Sequence, residues 1–91
     1  MTLEEIISEC YEFPRISISG ENGGFDIRHA WAFGIPRDEM KMQAELVQDE
    51  RAWNTCMIWL EGSKGEPDYI LYDVPRELGN RLMKESKFPD E

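Results

Sequence analysis

The residues able to do chemistry are few, and none of them falls in a motif that defines a reaction. His29 is the single histidine of the 91-residue chain, and Cys10 and Cys56 are its two cysteines. A structural zinc site needs four such ligands at close spacing, and these three lie far apart in the sequence. Each has apolar neighbours, so we predict two buried free thiols and a histidine that is at least partly buried, neutral and without a metal.

The remaining patterns do not indicate catalysis either. The glycine-containing segments at residues 20–25 and 62–67 lack the spacing of a phosphate-binding loop. Residues 38–50 carry acids without the alternating oxygen ligands of a calcium loop, and the serines lie in no nucleophile motif. With 19 Asp and Glu residues, chance pairs of carboxylates are unavoidable. We therefore predict a protein that is not an enzyme and has no cofactor; the alternative is a small enzyme with an unrecognised carboxylate site.

The net charge of −9 is the strongest compositional signal. Binding to the phosphates of DNA or RNA, or to an anionic membrane, requires clustered Lys and Arg, so we expect neither as a direct ligand. The chain has no run of 18 apolar residues, and its first residues lack the pattern of a signal peptide. Together with two unpaired cysteines, this favours a reducing cytoplasm. The alternative reading of the charge is that acidity merely keeps a small protein in solution.

Two stretches of the chain share one layout. Residues 15–46 and 55–85 each contain an apolar strand, a glycine-bounded turn, a second strand and then Pro-Arg before a charged helical stretch. Glycine supplies turn conformations, and proline is tolerated at the first position of a helix. The layout predicts two ββα units, at residues 15–51 and 55–86, which arose by duplication or by convergence.

The predicted elements add up to one α+β domain over residues 1–91. An N-terminal helix over residues 1–13 begins at a capping box formed by Thr2 and Glu5. Strands are predicted at residues 15–19, 25–33, 55–60 and 69–74, helices at residues 36–51 and 75–86, and a loose tail at residues 87–91. This gives an N-terminal helix followed by a four-stranded antiparallel sheet with helices packed on it.

Residues 69–86 pass from a strand through Asp-Val-Pro into a helix. In this passage they resemble the end of the small KTSC domain. The resemblance implies the same strand-to-helix junction and carries no functional residue to this chain.

Alternation along the strands, combined with the repeat, predicts the two faces of the sheet. Four residues are assigned to the face under the helices: Ile58, Leu60, Ile70 and Tyr72. Four others are assigned to the opposite face, where they form an apolar patch: Met57, Trp59, Tyr69 and Leu71. Such a patch needs a cover, which is either the N-terminal helix or a second subunit or partner protein.

The candidate partner-binding residues combine charge with this patch. Residues 1–12 carry four glutamates and no basic residue: Glu4, Glu5, Glu9 and Glu12. The apolar contacts are assigned to Met57, Trp59, Tyr69, Leu71 and Trp53, the last of which we expect to be exposed, because tryptophan is enriched at the centres of interfaces.

These residues lead to a functional prediction. We expect a non-catalytic acidic protein that occludes a basic, nucleic-acid-processing protein partner. By analogy of size and charge it would act like phage or mobile-element inhibitors of the anti-CRISPR or anti-restriction type. The alternative is a small homodimeric structural or accessory subunit without an inhibitory role. Salt dependence separates the two, because steering by charge weakens as ionic strength rises.

Overall fold

Five antiparallel strands and three α-helices make up the regular structure of the described residues. The computed structural model describes residues 1–20, 23–30 and 34–88. The strands are β1 (Ser17–Gly20), β2 (Gly23–Asp26), β3 (Ala44–Gln48), β4 (Cys56–Leu60) and β5 (Tyr69–Tyr72). The helices are α1 (Leu3–Cys10), α2 (Arg37–Met40) and α3 (Arg76–Glu85), and a 3-10 turn covers Ile27–His29.

The strands form one sheet in the order β2-β1-β5-β4-β3. Consecutive strands β3, β4 and β5 make an antiparallel meander, and the β1–β2 hairpin joins it because β1 pairs with β5. The α+β class with an antiparallel sheet is confirmed. The predicted number of four strands is wrong, since the sheet has five.

Helix α1 begins as the sequence predicts. The backbone N–H of Thr2 donates to Glu5 Oε1 at 3.0 Å, and the Glu5 N–H donates to Thr2 Oγ1 at 3.2 Å, which is a complete capping box. The apolar residues of α1 are fully buried: Leu3, Ile6, Ile7 and Cys10. The helix therefore forms part of the core, and its cap and apolar stripe were both readable from the sequence.

The second predicted helix is wrong over most of its length. Instead of a helix at residues 36–51, the chain forms the four residues of α2 and then strand β3. Ala44 and Leu46 are fully buried, while the intervening side chains face the other way. Helix propensity differs by only tenths of a kcal/mol among such residues, whereas burying one leucine is worth about 1.5–3 kcal/mol, so pairing with β4 prevails. The first ββα unit therefore does not exist.

The second strand of the predicted first unit is also shorter than expected. Strand β2 ends at Asp26, and the chain enters the 3-10 turn, where the Ile27 N–H donates to the Ile16 carbonyl at 3.2 Å. His29 lies in this turn and is exposed, so its predicted burial is wrong. In this turn the apolar neighbours of His29 in the sequence do not cover it. Residues 31–33, the last part of the strand predicted at residues 25–33, lie outside the described residues, as do residues 89–91 of the predicted tail.

Helices α1 and α3 pack on the same face of the sheet. A Cβ placed on Gly79 of α3 would lie 3.5 Å from Cys56 Sγ, and Cys10 of α1 is close enough to Cys56 to raise its own thiol pKa. Both cysteines are buried free thiols, as predicted. Burial raises the pKa of Cys10 to about 12 and that of Cys56 to about 11. This covered side of the sheet is the inner face.

The β3 edge of the sheet is closed by other parts of the chain. The Ala44 N–H donates to the Met1 carbonyl at 2.7 Å, and the Leu46 N–H donates to the hydroxyl of Ser86 at 2.9 Å. Ser86 is completely buried just after α3. An edge strand whose outward N–H groups are bonded is a poor template for pairing with another chain. Among the described helices none has the length and apolar character to cross a membrane.

Candidate functional site

The register between β4 and β5 decides which residues share the open face of the sheet. Met57 lies directly opposite Ile70, and Cys56 lies opposite Leu71. The predicted grouping of Met57 and Trp59 with Tyr69 and Leu71 is therefore wrong. Leu71 is fully buried and Tyr69 is 8% exposed, both on the inner face. Alternation decides which side chains of one strand share a face of the sheet. The β4–β5 connection decides the pairing register between the two strands. In this connection the Asp68 N–H donates to the Ile58 carbonyl at 2.9 Å.

The open side of the sheet, which we call the outer face, carries a continuous apolar surface. Val47, Met57 and Ile70 lie side by side across three strands. Trp59 lies on one side of this row, two residues beyond Met57 on β4. Tyr72 lies on the other side, two residues beyond Ile70 on β5. We call these five residues the outer strip: Val47, Met57, Trp59, Ile70 and Tyr72. Val47 is 36% and Tyr72 39% exposed, and the other three are partly exposed. An apolar surface of this kind on a small protein is a candidate interaction site.

Trp59 is held in place by the connection that follows its strand. Its indole Nε1–H donates to the Gly65 carbonyl at 3.0 Å. Gly65 has a φ of 92°, a left-handed conformation that suits glycine, so the loop can bring this carbonyl to the indole N–H at the edge of the ring. A tryptophan fixed before binding loses little side-chain entropy when a partner covers it. This makes Trp59 the best anchor of the outer strip.

Helix α1 does not cover the outer strip. It lies against the inner face beside α3, and Glu9 on α1 forms an ion pair with Arg81 on α3 at 2.8 Å. The prediction that the N-terminal helix shields the apolar patch is therefore wrong. No other helix of the described residues lies on the outer face, and the strip is left open to solvent there.

The four N-terminal glutamates lie on or next to α1, which packs against the inner face, and so are not part of the outer strip. Glu4 and Glu12 are exposed. The other two have structural partners: hydrogen bonds from the Thr2 backbone and side chain lower the pKa of Glu5, and Glu9 pairs with Arg81. The structure thus separates the predicted glutamates from Met57 and Trp59 of the outer strip, and it buries the predicted contact residues Tyr69 and Leu71 on the inner face.

Trp53 forms a third, smaller feature. It is 73% exposed, as predicted, and lies in the turn between β3 and β4 rather than at a helix end. With Arg15, Asn54 and Asp73 it lines a cavity of about 340 Å³. Asp73 has a φ of 59°, and the following Val74 N–H donates to the Asn54 carbonyl at 2.8 Å, so these two segments are tied together. The mixed charges of this cavity do not select one class of ligand.

A larger cavity of about 750 Å³ opens where β1 ends and β5 begins. Glu39 and Asp68 line it, and both carboxylates have structural partners. The Tyr69 hydroxyl donates to Glu39 Oε1 at 2.9 Å, and the Leu60 N–H donates to Asp68 Oδ2 at 2.9 Å. These bonds hold α2 and the β4–β5 connection against the sheet, which gives the two carboxylates a role in the fold. Across residues 1–20, 23–30 and 34–88, no three His, Cys, Asp or Glu side chains are grouped to hold a metal ion.

Comparison with known proteins finds no matching family model, and no match among curated proteins or solved structures. The candidate site therefore depends on geometry alone. Sequence reasoning identified Met57 and Trp59 but missed three members of the outer strip: Val47, Ile70 and Tyr72. The signal for Val47 was present in the alternation of residues 44–48, which the helix-forming composition of that segment obscured.

Proposed function

We propose that this chain is a non-catalytic acidic binding protein that occludes a basic surface of a protein partner, with the outer strip as its contact core. The observation that carries the proposal is the row Val47, Met57 and Ile70 on a sheet face that no described helix covers. Burial of apolar surface is the main favourable term in protein association, at roughly 25 cal/mol for each Å² removed from water. The flanking aromatic residues are of the kind that dominates binding energy.

The charge supports the choice of partner. A net charge of −9 repels phosphates and attracts basic protein surfaces. Proteins that process nucleic acids carry such surfaces, because they must neutralise phosphates. By analogy of size and charge, we place the activity among phage or mobile-element inhibitors of the anti-CRISPR or anti-restriction type, acting in the cytoplasm. In this mechanism the protein covers the basic groove so that nucleic acid cannot enter it.

The acidic helix surface and the outer strip would have different roles in binding. Exposed carboxylates such as Glu4 and Glu12 lie on or next to α1 and not on the outer face, so they contribute to the attraction during approach rather than to the final contact. Long-range attraction raises the association rate and is screened over about 8–10 Å at physiological salt. The outer strip, by contrast, would control the dissociation rate at every salt concentration.

Affinity capture from a bacterial lysate at low and high salt, with the bound proteins identified by mass spectrometry, tests this proposal. We expect a basic, nucleic-acid-binding protein to be captured by the wild type and lost with the double variant Met57→Ser, Ile70→Ser. The matched control Glu4→Gln, Glu12→Gln should retain it, with slower association at low salt. The purified partner should lose its nucleic-acid binding when the protein is added.

Two results would contradict the proposal. If the outer-strip variant captures the same protein with the same affinity, the strip is not the contact core. If sedimentation shows a stable dimer that the Met57→Ser, Ile70→Ser variant dissolves, the chain is instead a homodimeric structural or accessory subunit. Both variants should first be shown to fold by their thermal unfolding curves.

A further inference from the structure

The charged residues of the sheet are confined to two positions. The five strands contain one aspartate, Asp26 on β2, and one glutamate, Glu45 on β3, and no Lys, Arg or His. These two strands are the opposite edges of the sheet. The rim of the outer face is therefore acidic at both edges and has no cation in its strands.

The register places both carboxylates on the outer face, at diagonally opposite corners of the outer strip. Glu45 lies directly opposite Trp59. Asp26 lies opposite Ser17, which in turn lies opposite Tyr72. With strands about 4.8 Å apart and residues about 3.3 Å apart along a strand, the two corners are separated by roughly 23 Å. In the described part of the chain, neither carboxylate takes part in a hydrogen bond or an ion pair.

The carboxylates of Asp26 and Glu45 restrict which surfaces can cover the outer strip. A carboxylate at the rim of an open apolar face keeps its hydration, but a partner that covers the face must pair with it or leave it partly dehydrated, which is unfavourable for an unpaired charge. The strands of a second copy of this chain bring two more carboxylates and no cation. Self-association through this face would thus place acid against acid.

We propose that the outer strip docks a protein surface with an apolar centre and two cationic side chains, Lys or Arg, placed roughly 23 Å apart to meet Asp26 and Glu45. The inference rests on the proposed function and deepens it, because it names the carboxylates that contact the partner. Asp26 and Glu45 recognise the partner at the strip, whereas Glu4 and Glu12 act only during approach. The inference names a partner protein, and not a second copy of the chain, as the occupant.

A pair of synthetic peptides tests this directly. One peptide alternates lysine and leucine, and the other alternates glutamate and leucine at the same length. Binding to the full chain is followed by NMR, using the Trp59 indole N–H and the Met57 methyl group as reporters of the outer strip. We expect the lysine peptide to shift both signals and the glutamate peptide to shift neither.

Isosteric variants then locate the charges that matter. The variant Asp26→Asn, Glu45→Gln and the control Glu4→Gln, Glu12→Gln each remove two negative charges, so their effect on overall attraction is matched. We expect the variant Asp26→Asn, Glu45→Gln to weaken binding of the lysine peptide by about three- to tenfold, the effect of losing two ion pairs at the rim. The control should weaken this binding by less than about twofold. Because the substitutions keep side-chain shape, both variants should fold like the wild type, which thermal unfolding checks.

Each contrary outcome has one meaning. Equal weakening by the two variants, or lysine-peptide shifts confined to helix α1, overturns the inference while leaving an acidic binding protein in place. A concentration-dependent dimer whose outer-strip signals shift on self-association also overturns it. If neither peptide shifts any signal of the protein, the proposed function fails together with the inference.

Discussion

Ile70 and Leu71 are neighbours in the chain, yet they belong to the two faces of the sheet with opposite roles. Leu71 is fully buried under the helices, while Ile70 lies partly exposed in the outer strip. Their side chains are of equal size and similar hydrophobicity, so the difference lies only in what covers them. Apolar residues on the inner face stabilise the fold, and those on the outer face are left available to a partner.

The largest effect that tests this comparison is on unfolding. Leu71→Ala should lower the free energy of unfolding by about 2–5 kcal/mol, because a buried leucine leaves a cavity. Ile70→Ala should lower it by about 1 kcal/mol, since its side chain is already partly in water. Urea denaturation of the two variants at equal concentration gives both values. Equal losses would mean that the outer strip is part of the structural core.

The second test uses the two thiols of the inner face. Burial raises the pKa of Cys10 to about 12 and of Cys56 to about 11, from 9.0. The folded chain therefore keeps protons that the unfolded chain releases above pH 9, so stability is intact below that pH and is lost as the pH rises further. We expect a loss on the order of 2 kcal/mol by pH 10. Thermal unfolding across this range measures it.

A single-cysteine variant separates the thiols from other groups that titrate at high pH. Cys10→Ala should be less stable at neutral pH, but its stability should fall less steeply between pH 9 and pH 10 than that of the wild type. An unchanged slope would show that the Cys10 thiol is not desolvated.

The third test compares a buried serine at the β3 edge with a serine on the outer face. Ser86 is fully buried and accepts the Leu46 N–H, so Ser86→Ala should cost about 1–3 kcal/mol by leaving that amide without a partner. Ser17 lies on the outer face, opposite Tyr72, and Ser17→Ala should change stability by no more than about 0.5 kcal/mol. Amide hydrogen exchange adds a local readout, because the Leu46 amide should exchange faster only in the Ser86 variant. Unchanged exchange would rule out Ser86 as the group that closes the β3 edge.

The smallest expected effect concerns Trp53. With 73% of its surface exposed, Trp53→Ala should alter the free energy of unfolding by no more than about 0.5 kcal/mol. Chemical denaturation checks this, with Trp59→Ala as the comparison, since that change also removes the hydrogen bond to Gly65. A loss above about 1 kcal/mol for Trp53→Ala would mean that this turn supports the inner core.

The sequence alone determined the parts of the fold that depend on local chemistry. The capping box of Thr2 and Glu5, the buried stripe of α1 and the strand-to-helix passage after Tyr72 are set by residues close together in the chain. Strands β4 and β5 were also placed correctly, because runs of apolar residues bounded by turn residues favour strands. The α+β class and the acidic character followed from the same local information.

Only the tertiary structure decided three further points. Residues 44–48 became a strand because pairing with β4 outweighs their modest helix propensity, which no local pattern reveals. The faces of the sheet on which Tyr69 and Ile70 lie depend on the pairing register that the β4–β5 connection sets. A shift of one residue in this register would exchange the two faces. The position of α1 on the inner face depends on contacts with residues far along the chain, such as Arg81. The outer strip exists because of all three, since pairing, register and helix placement together decide which apolar residues remain uncovered.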